Sequence, residues 1–199
     1  MKVVVADYGA GNLRSVCSAF ARAGCEPVVS ADPEEVREAS LAVIAGVGHA
    51  GAALAGLEAA RLDEALRVRV EEARPLIGIC VGMQLLFEDS EEGGRGLRFL
   101  RGPVTRLEAR RVPHMGWNQL RMHGDLQILD GLDGEDVYFA HSYAARPVEQ
   151  LARAEVDHDG PVVAAVERGA LAGVQFHPER SAAAGARLLQ NVLAWSRSA

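Results

Sequence analysis

Lysine is nearly missing from this chain. Lys2 is the sole example, and arginine supplies the rest of the basic side chains. Acidic residues outnumber basic ones 27 to 21, for a formal charge of −6. No basic run and no interleaving of basic with aromatic residues marks a nucleic-acid face, which excludes that class of partner. Cysteine is scarce and unpaired in pattern: Cys17, Cys25 and Cys80 show no Cys-x-x-Cys spacing. An odd number cannot all form disulfides, so a reducing compartment, the cytoplasm, is expected. No apolar run approaches the ~18 residues of a membrane span, and no membrane association is expected. Asp7 interrupts the first apolar stretch too early for a signal-peptide core. Repeats and low-complexity linkers are absent too, so residues 1–199 read as a single domain with a full core.

What is present alternates. Lys2–Ala6 reads as a first strand, followed by a loop through Asn12 and a helix from about Leu13 to Ala23. Pro27–Ser30 and Leu41–Ala45 read as further strands, with a short acidic helix at Pro33–Ala39 between them. Residues 51–73 read as one helix or two, and Leu76–Ile79 as a fourth strand. Strand and helix in alternation to residue 87 predict an open parallel sheet covered on both faces. The pattern then shifts. Ser90–Gly96 reads as a flexible polar loop. Short strands are expected near Gly102–Leu107, Val137–Ala140, Leu151–Val156, Val162–Glu167 and Leu171–Gln175, with a final helix over Ala182–Trp195. The expected fold class is α/β, a doubly wound, mainly parallel sheet with antiparallel additions in the C-terminal half.

Gly9-Ala10-Gly11 after the first strand invites a dinucleotide reading, but Arg14 stands where the third glycine should be. No cofactor is expected. The informative stretch is Pro75–Phe87. An apolar strand ends at Cys80, and Met83, Leu86 and Phe87 follow at helical spacing. Gly78 and Gly82 flank the cysteine where side chains would crowd a sharp strand-to-helix turn. This resembles a nucleophile elbow with cysteine in place of serine. First-turn N–H groups aimed at the sulfur would favour the thiolate.

A cysteine nucleophile needs a base, and the base needs an orienting group. Of six histidines, His123 and His158 lie in turn-like surface contexts, while His49, His114 and His141 can be structural or site-lining. His177 stands apart, because it follows the strand Val174-Gln175-Phe176 and precedes Pro178-Glu179. Proline holds the chain extended, so the imidazole and the Glu179 carboxylate can face one another across a tight bend. Cys80, His177 and Glu179 are acceptable zinc ligands by type. That reading puts a ligand on the elbow turn and leaves the orienting pair unexplained, so no metal is expected. The Val81 N–H and the turn Gly46-Val47-Gly48 supply an oxyanion hole, with Val47 and Gly48 as the second donor site.

Gly78–Leu86 and Gly173–Glu179 resemble the two signatures of the class I glutamine amidotransferases. Asp7–Val16, Val112–Asn118 and Tyr138–Tyr143 narrow the likeness to glutaminase subunits of imidazole glycerol phosphate synthase. The resemblance implies a flavodoxin-like domain that hydrolyses glutamine to glutamate and ammonia. In it Cys80 forms the thioester and His177, oriented by Glu179, shuttles the proton. It further implies that Gln84, Glu92, His141, Ser142 and Tyr143 bind the substrate. The implied partner is the cyclase subunit HisF, a (β/α)₈ barrel that receives the ammonia in a heterodimer, met by Asn12, Trp117, Tyr138 and Arg180. The product chemistry belongs to histidine biosynthesis.

The chain departs from the pattern at three places. Ala45 replaces a proline before the oxyanion turn, His49-Ala50 replaces Ala-Phe after it, and Arg180 replaces lysine. Alternative readings are the glutaminase of another amidotransferase, a partner-independent cysteine hydrolase of the same fold class, and a non-catalytic scaffold.

Overall fold

The structure, a computed structural model, describes residues 1–9 and 11–198. The N-terminal half runs β1 (Val3–Ala6), α1 (Leu13–Arg22), β2 (Pro27–Ser30), α2 (Pro33–Glu38), β3 (Leu41–Gly46), α3 (Ala50–Ala59), α4 (Leu62–Glu71), β4 (Leu76–Cys80) and α5 (Val81–Gln84). After it come β5 (Asp89–Ser90), β6 (Gly94–Arg95), β7 (Pro103–Arg106), β8 (His114–Gln119), β9 (Arg121–His123), β10 (Asp136–His141), β11 (Tyr143–Ala145), β12 (Ala152–Asp157), β13 (Pro161–Arg168), β14 (Leu171–Val174) and α6 (Ala182–Trp195).

The main sheet has eight strands in the order β2-β1-β3-β4-β14-β13-β12-β9. From β2 to β14 the neighbours are parallel, and from β14 to β9 they are antiparallel. The parallel strands β1, β3, β4 and β14 are buried throughout. That is why they read as continuous apolar runs rather than as alternation. At the sheet edge β2 leaves Val28 and Val29 each 43% exposed. Helix α6 buries Leu188, Leu189, Val192 and Trp195, the side chains at three- and four-residue steps in its sequence. The α/β architecture, the parallel core and the antiparallel additions match the fold class expected from the sequence.

Two local expectations need correction. The helix after Cys80 stops at Gln84, one turn long. Carbonyls of the next turn are claimed from outside: Leu97 N donates to Leu85 O, Leu100 N to Leu86 O and Arg98 N to Phe87 O. Ser90–Gly96, expected as a flexible loop, instead closes the small β5–β6 hairpin, with Gly94 in the left-handed region at φ 82°. Residues 51–73 form two helices, broken at Arg61, which has φ 57°. The region least legible beforehand holds β8, paired antiparallel with β10 in a two-stranded ribbon beside the main sheet.

Two registers position the site. Ile79 pairs with Val174 across β4 and β14, and Gly46 pairs with Cys80 across β3 and β4. Three adjacent parallel strands therefore end at one level. The turn after β3, the elbow after β4 and the His177 segment after β14 leave the sheet side by side, at the carboxyl edge where open α/β sheets bind ligands.

Candidate active site

Cys80 sits at φ 55°, ψ −112°, a strained backbone for a non-glycine residue. The strain is held by close packing of backbone on backbone. A Cβ at Gly78 would collide with the Gly82 carbonyl, and one at Gly82 with the Ile44 carbonyl. The two glycines are thus required by the turn, as their spacing suggested.

On the β14 side, Pro178–Arg180 forms a single 3₁₀ turn, and His177 Nδ1 lies 2.9 Å from Glu179 Oε1. Both side chains are buried. Glu179 Oε2 is buried with no hydrogen-bond partner among the described residues, so the imidazole is the carboxylate's principal partner. The His177 ring shares the cavity wall with Cys80. Burial pulls its pKa down, but the bonds and charges of Cys80 and Glu179 outweigh burial and raise it to about 10. The ring is tied to the carboxylate through Nδ1. Main-chain bonds fix the segment: His177 N donates to Tyr138 O, and Ser181 Oγ donates to His177 O at 2.7 Å.

These groups face a cavity of about 340 Å³, of the size that suits a small ligand. Its wall includes Val47, Gly48, Cys80, Val81, Gln84, Glu92, His141, Ser142, Tyr143, His177 and Arg180. Glu179 stands behind His177 rather than on the wall. Gly48 takes φ 89°, a conformation that favours glycine and re-aims the backbone of the turn. Glu92, on the wall, accepts from Ala50 N through Oε2 at 2.9 Å. His49 caps α3 by accepting from Gly51 N and takes no place on the wall.

The remaining sequence-named residues lie outside the cavity. Trp117 is 54% exposed. Its ring meets Tyr138 edge-on at 6.0 Å, and the Arg180 guanidinium lies over the Tyr138 ring at 4.9 Å. Asn12 is exposed in the loop after β1.

Sequence reasoning missed several participants. Pro113, Met115 and Ala140 complete the wall, brought in by the β8–β10 ribbon. Gln175, fully buried, donates from Nε2 toward Cys80 Sγ at 3.7 Å. Its signal was a lone carboxamide at the end of an apolar strand. Tyr8 donates its hydroxyl to Ala45 O at 2.8 Å, directly before the turn at 46–48. Burial first, then the neighbouring Cys80, pushes the Tyr8 phenol up, so it stays a neutral donor. His158, expected at the surface, is partly covered and stacks on His114 with ring centroids 4.1 Å apart.

The buried histidines give a measurable pH dependence. Burial is the main force holding His114 down to about 3 and His141 to about 4, against an ordinary value of 6.5. Both rings must fold uncharged, so their contribution to stability is complete above pH 6.5 and is lost as pH falls toward 4. Unfolding free energy should drop by ~1.4 kcal/mol per pH unit for each such ring. Denaturation titrations between pH 6.5 and 4.5 check this. A flat profile over that range contradicts it.

An elbow cysteine and a buried histidine–glutamate pair, delivered to one pocket by adjacent parallel strands, define a cysteine-dependent acyl-transfer enzyme. The chain belongs to the glutamine amidotransferase class-I family, whose model matches residues 4–194. It is 45% identical over 199 residues to the imidazole glycerol phosphate synthase subunit HisH of Geobacillus kaustophilus, covering 94% of this chain and 93% of that one. It is 41% identical over 192 residues to the HisH of Methanothermobacter thermautotrophicus, with 95% and 96% covered. A crystal structure of a glutamine amidotransferase superposes with a TM-score of 0.79 at 20% identity, covering 98% of each chain. The structure of PurLQS from Thermotoga maritima superposes at 0.76, with 18% identity and 98% of each chain covered. These two likenesses speak to the fold alone. Family membership makes the chain a glutaminase that works through a cysteine nucleophile.

Proposed function

We propose that the chain, as a single glutaminase domain over residues 1–199, is the ammonia-producing subunit of a two-subunit imidazole glycerol phosphate synthase. Its partner is then the (β/α)₈ cyclase subunit HisF. The observation that carries the catalytic part is the union of Cys80, Gly48 and His177 on one cavity wall, with Glu179 bonded to His177 from behind. Cys80 gives its proton to His177 as Sγ attacks the side-chain amide carbon of glutamine, and the carbonyl oxygen becomes an oxyanion met by the Val81 N–H and the turn at Val47–Gly48. The C–N bond breaks as the His177 imidazolium gives its proton to the departing nitrogen, releasing ammonia and leaving a γ-glutamyl thioester. Neutral His177 then takes a proton from water as its oxygen attacks the thioester, and glutamate leaves with Cys80 restored. Glu179 orients the ring throughout. Gln84, Glu92 and the His141–Tyr143 segment bind glutamine, with the Glu92 carboxylate suited to its amino group. The reaction needs no cofactor or metal. No described helix is long and apolar enough to cross a membrane, and we assign the enzyme to the cytoplasm.

The partner reading is supported by the relatives' assignments and by the cavity mouth. Val47 is 44% exposed and Met115 66%, and both border the opening. Trp117, on the same ribbon face as Met115, extends this apolar rim beside Tyr138 and Arg180. An apolar rim around a polar site suits a docking surface, and we assign Asn12, exposed in the loop after β1, to the same interface. Arg180 pairs with a carboxylate of the barrel. Trp117→Ala should leave the melting temperature of the isolated chain nearly unchanged. Affinity for the barrel subunit, measured by titration calorimetry, should weaken by ~2 kcal/mol or more, with less stimulation of glutamine hydrolysis. Lost stability with unchanged affinity would return Trp117 to a structural role.

A further inference from the structure

Two buried histidines meet between β8 and β10, where His114 and His141 are cross-strand partners. His114 Nδ1 lies 3.1 Å from His141 Nε2, and His141 Nδ1 lies 2.8 Å from Tyr143 O. Beyond His114 Nε2, at 3.2 Å, is Asn118 Nδ2. The two ends of this row fix the protons. Asn118 is held the right way round, because its Oδ1 accepts from Gln119 N and its Nδ2 donates to Asp157 O, both at 2.8 Å. His114 Nε2 must therefore accept, which puts the His114 proton on Nδ1. At the other end a carbonyl can only accept, so the His141 proton is on Nδ1 and its Nε2 is bare. Two neutral rings donating in one direction satisfy every atom. The depressed pKa values of both rings agree with this arrangement.

The row continues past the carbonyl. Gln84 Nε2 donates to the same Tyr143 O at 2.9 Å and to Gln175 Oε1 at 3.0 Å. Both hydrogens of its amide are thereby used. Gln175, with its oxygen engaged, is turned so that Nε2 points at Cys80 Sγ. The orientation of the amide facing the nucleophile depends on Gln84. Gln84 is set by the Tyr143 carbonyl, and that carbonyl is shared with His141.

We propose that His114 is a positioning residue for the Cys80 sulfur, acting through His141, the Tyr143 carbonyl, Gln84 and Gln175. Without the donor at position 114, the His141 Nε2 lone pair is buried and unpaired. The ring then rotates to find another donor for that lone pair, and the shared carbonyl loses one of its two donors. The amide aimed at sulfur drifts with it. The inference rests on the reading of Cys80 as nucleophile.

Leucine and asparagine are nearly the same shape, so His114→Leu and His114→Asn lose the same ring stacking on Phe139 and His158. They differ in one respect, since asparagine keeps an N–H where His114 has its donor. Glutamine hydrolysis is measured in the chain assembled with its synthase partner, with melting temperatures recorded for both variants. His114→Asn should exceed His114→Leu in kcat by about tenfold, the effect of one buried hydrogen bond, with KM within about twofold. Equal kcat for the two variants overturns the relay, whether both are slow or both match the parent. If His114→Leu does not fold, His114→Asn within about threefold of the parent supports the relay, and a larger loss overturns it. Cys80→Ala is run beside them: glutamine turnover retained by that variant removes the nucleophile reading itself, a failure distinct from that of the relay.

Discussion

Replacing Cys80 with alanine is expected to lower glutamine hydrolysis by ~10⁴-fold or more, the scale of loss when a nucleophile is deleted from a triad. The assembled synthase should nevertheless still form product when ammonia is added directly. The substitution removes the sulfur and leaves the elbow intact, because the tight packing there is between Gly78, Gly82 and the Ile44 carbonyl. Alanine also accepts the site's buried surroundings. The check is a pair of assays on one preparation, glutamate release from glutamine and product formation from an ammonium salt. Loss of both activities in a complex that still assembles would contradict the division of labour between the two subunits.

The second large effect is expected on assembly. A free chain hydrolysing glutamine at full rate would release ammonia to solvent, so the turn at 46–48 is expected to present its oxyanion N–H fully only when the barrel and its nucleotide substrate are bound. Glutaminase activity should rise by ~10²-fold or more, the order contributed by one oxyanion donor. Structural features suit such a switch. Val47 is 44% exposed at the cavity mouth, and Gly48 can turn its peptide at little steric cost. The backbone before the turn is not held by proline, since Ala45 occupies that place, but by the Tyr8 hydroxyl on the Ala45 carbonyl. Tyr8 belongs to the loop that carries Asn12, so contact with a partner at that loop reaches the turn through one hydrogen bond. Steady-state glutamate release by free and assembled chain is the measurement, and equal rates contradict the mechanism.

The parts of this site legible in the sequence are those dictated by backbone geometry. Gly78 and Gly82 announced the elbow because contact between main chains there leaves no room for a Cβ. His177-Pro178-Glu179 announced a paired imidazole and carboxylate because proline bends the chain within three residues. What stayed hidden depends on register between distant strands. His114 and His141 become partners only through the β8–β10 pairing, and β8 did not declare itself. It is a half-exposed ribbon strand, with Gly116 inside it and Pro113 before it, so neither alternation nor an apolar run marks it. Gln175 lay inside a stretch that was recognised, yet its contact with Cys80 required the parallel register of β4 and β14. Arg69 was equally silent. It is fully buried at a helix end and donates to the carbonyls of Val36, Arg37, Ala39 and Pro75, a structural clamp that an arginine-rich helix conceals.

A substrate carried covalently on Cys80 can be trapped by acid quenching during turnover. The assembled enzyme is mixed with glutamine, stopped within one turnover and analysed as intact protein and as peptides. A γ-glutamyl adduct is expected on the peptide containing Cys80, absent in Cys80→Ala and decaying as glutamate appears. Glutamate formed at the normal rate with no adduct on Cys80, or with the adduct on Cys17 or Cys25, would contradict it.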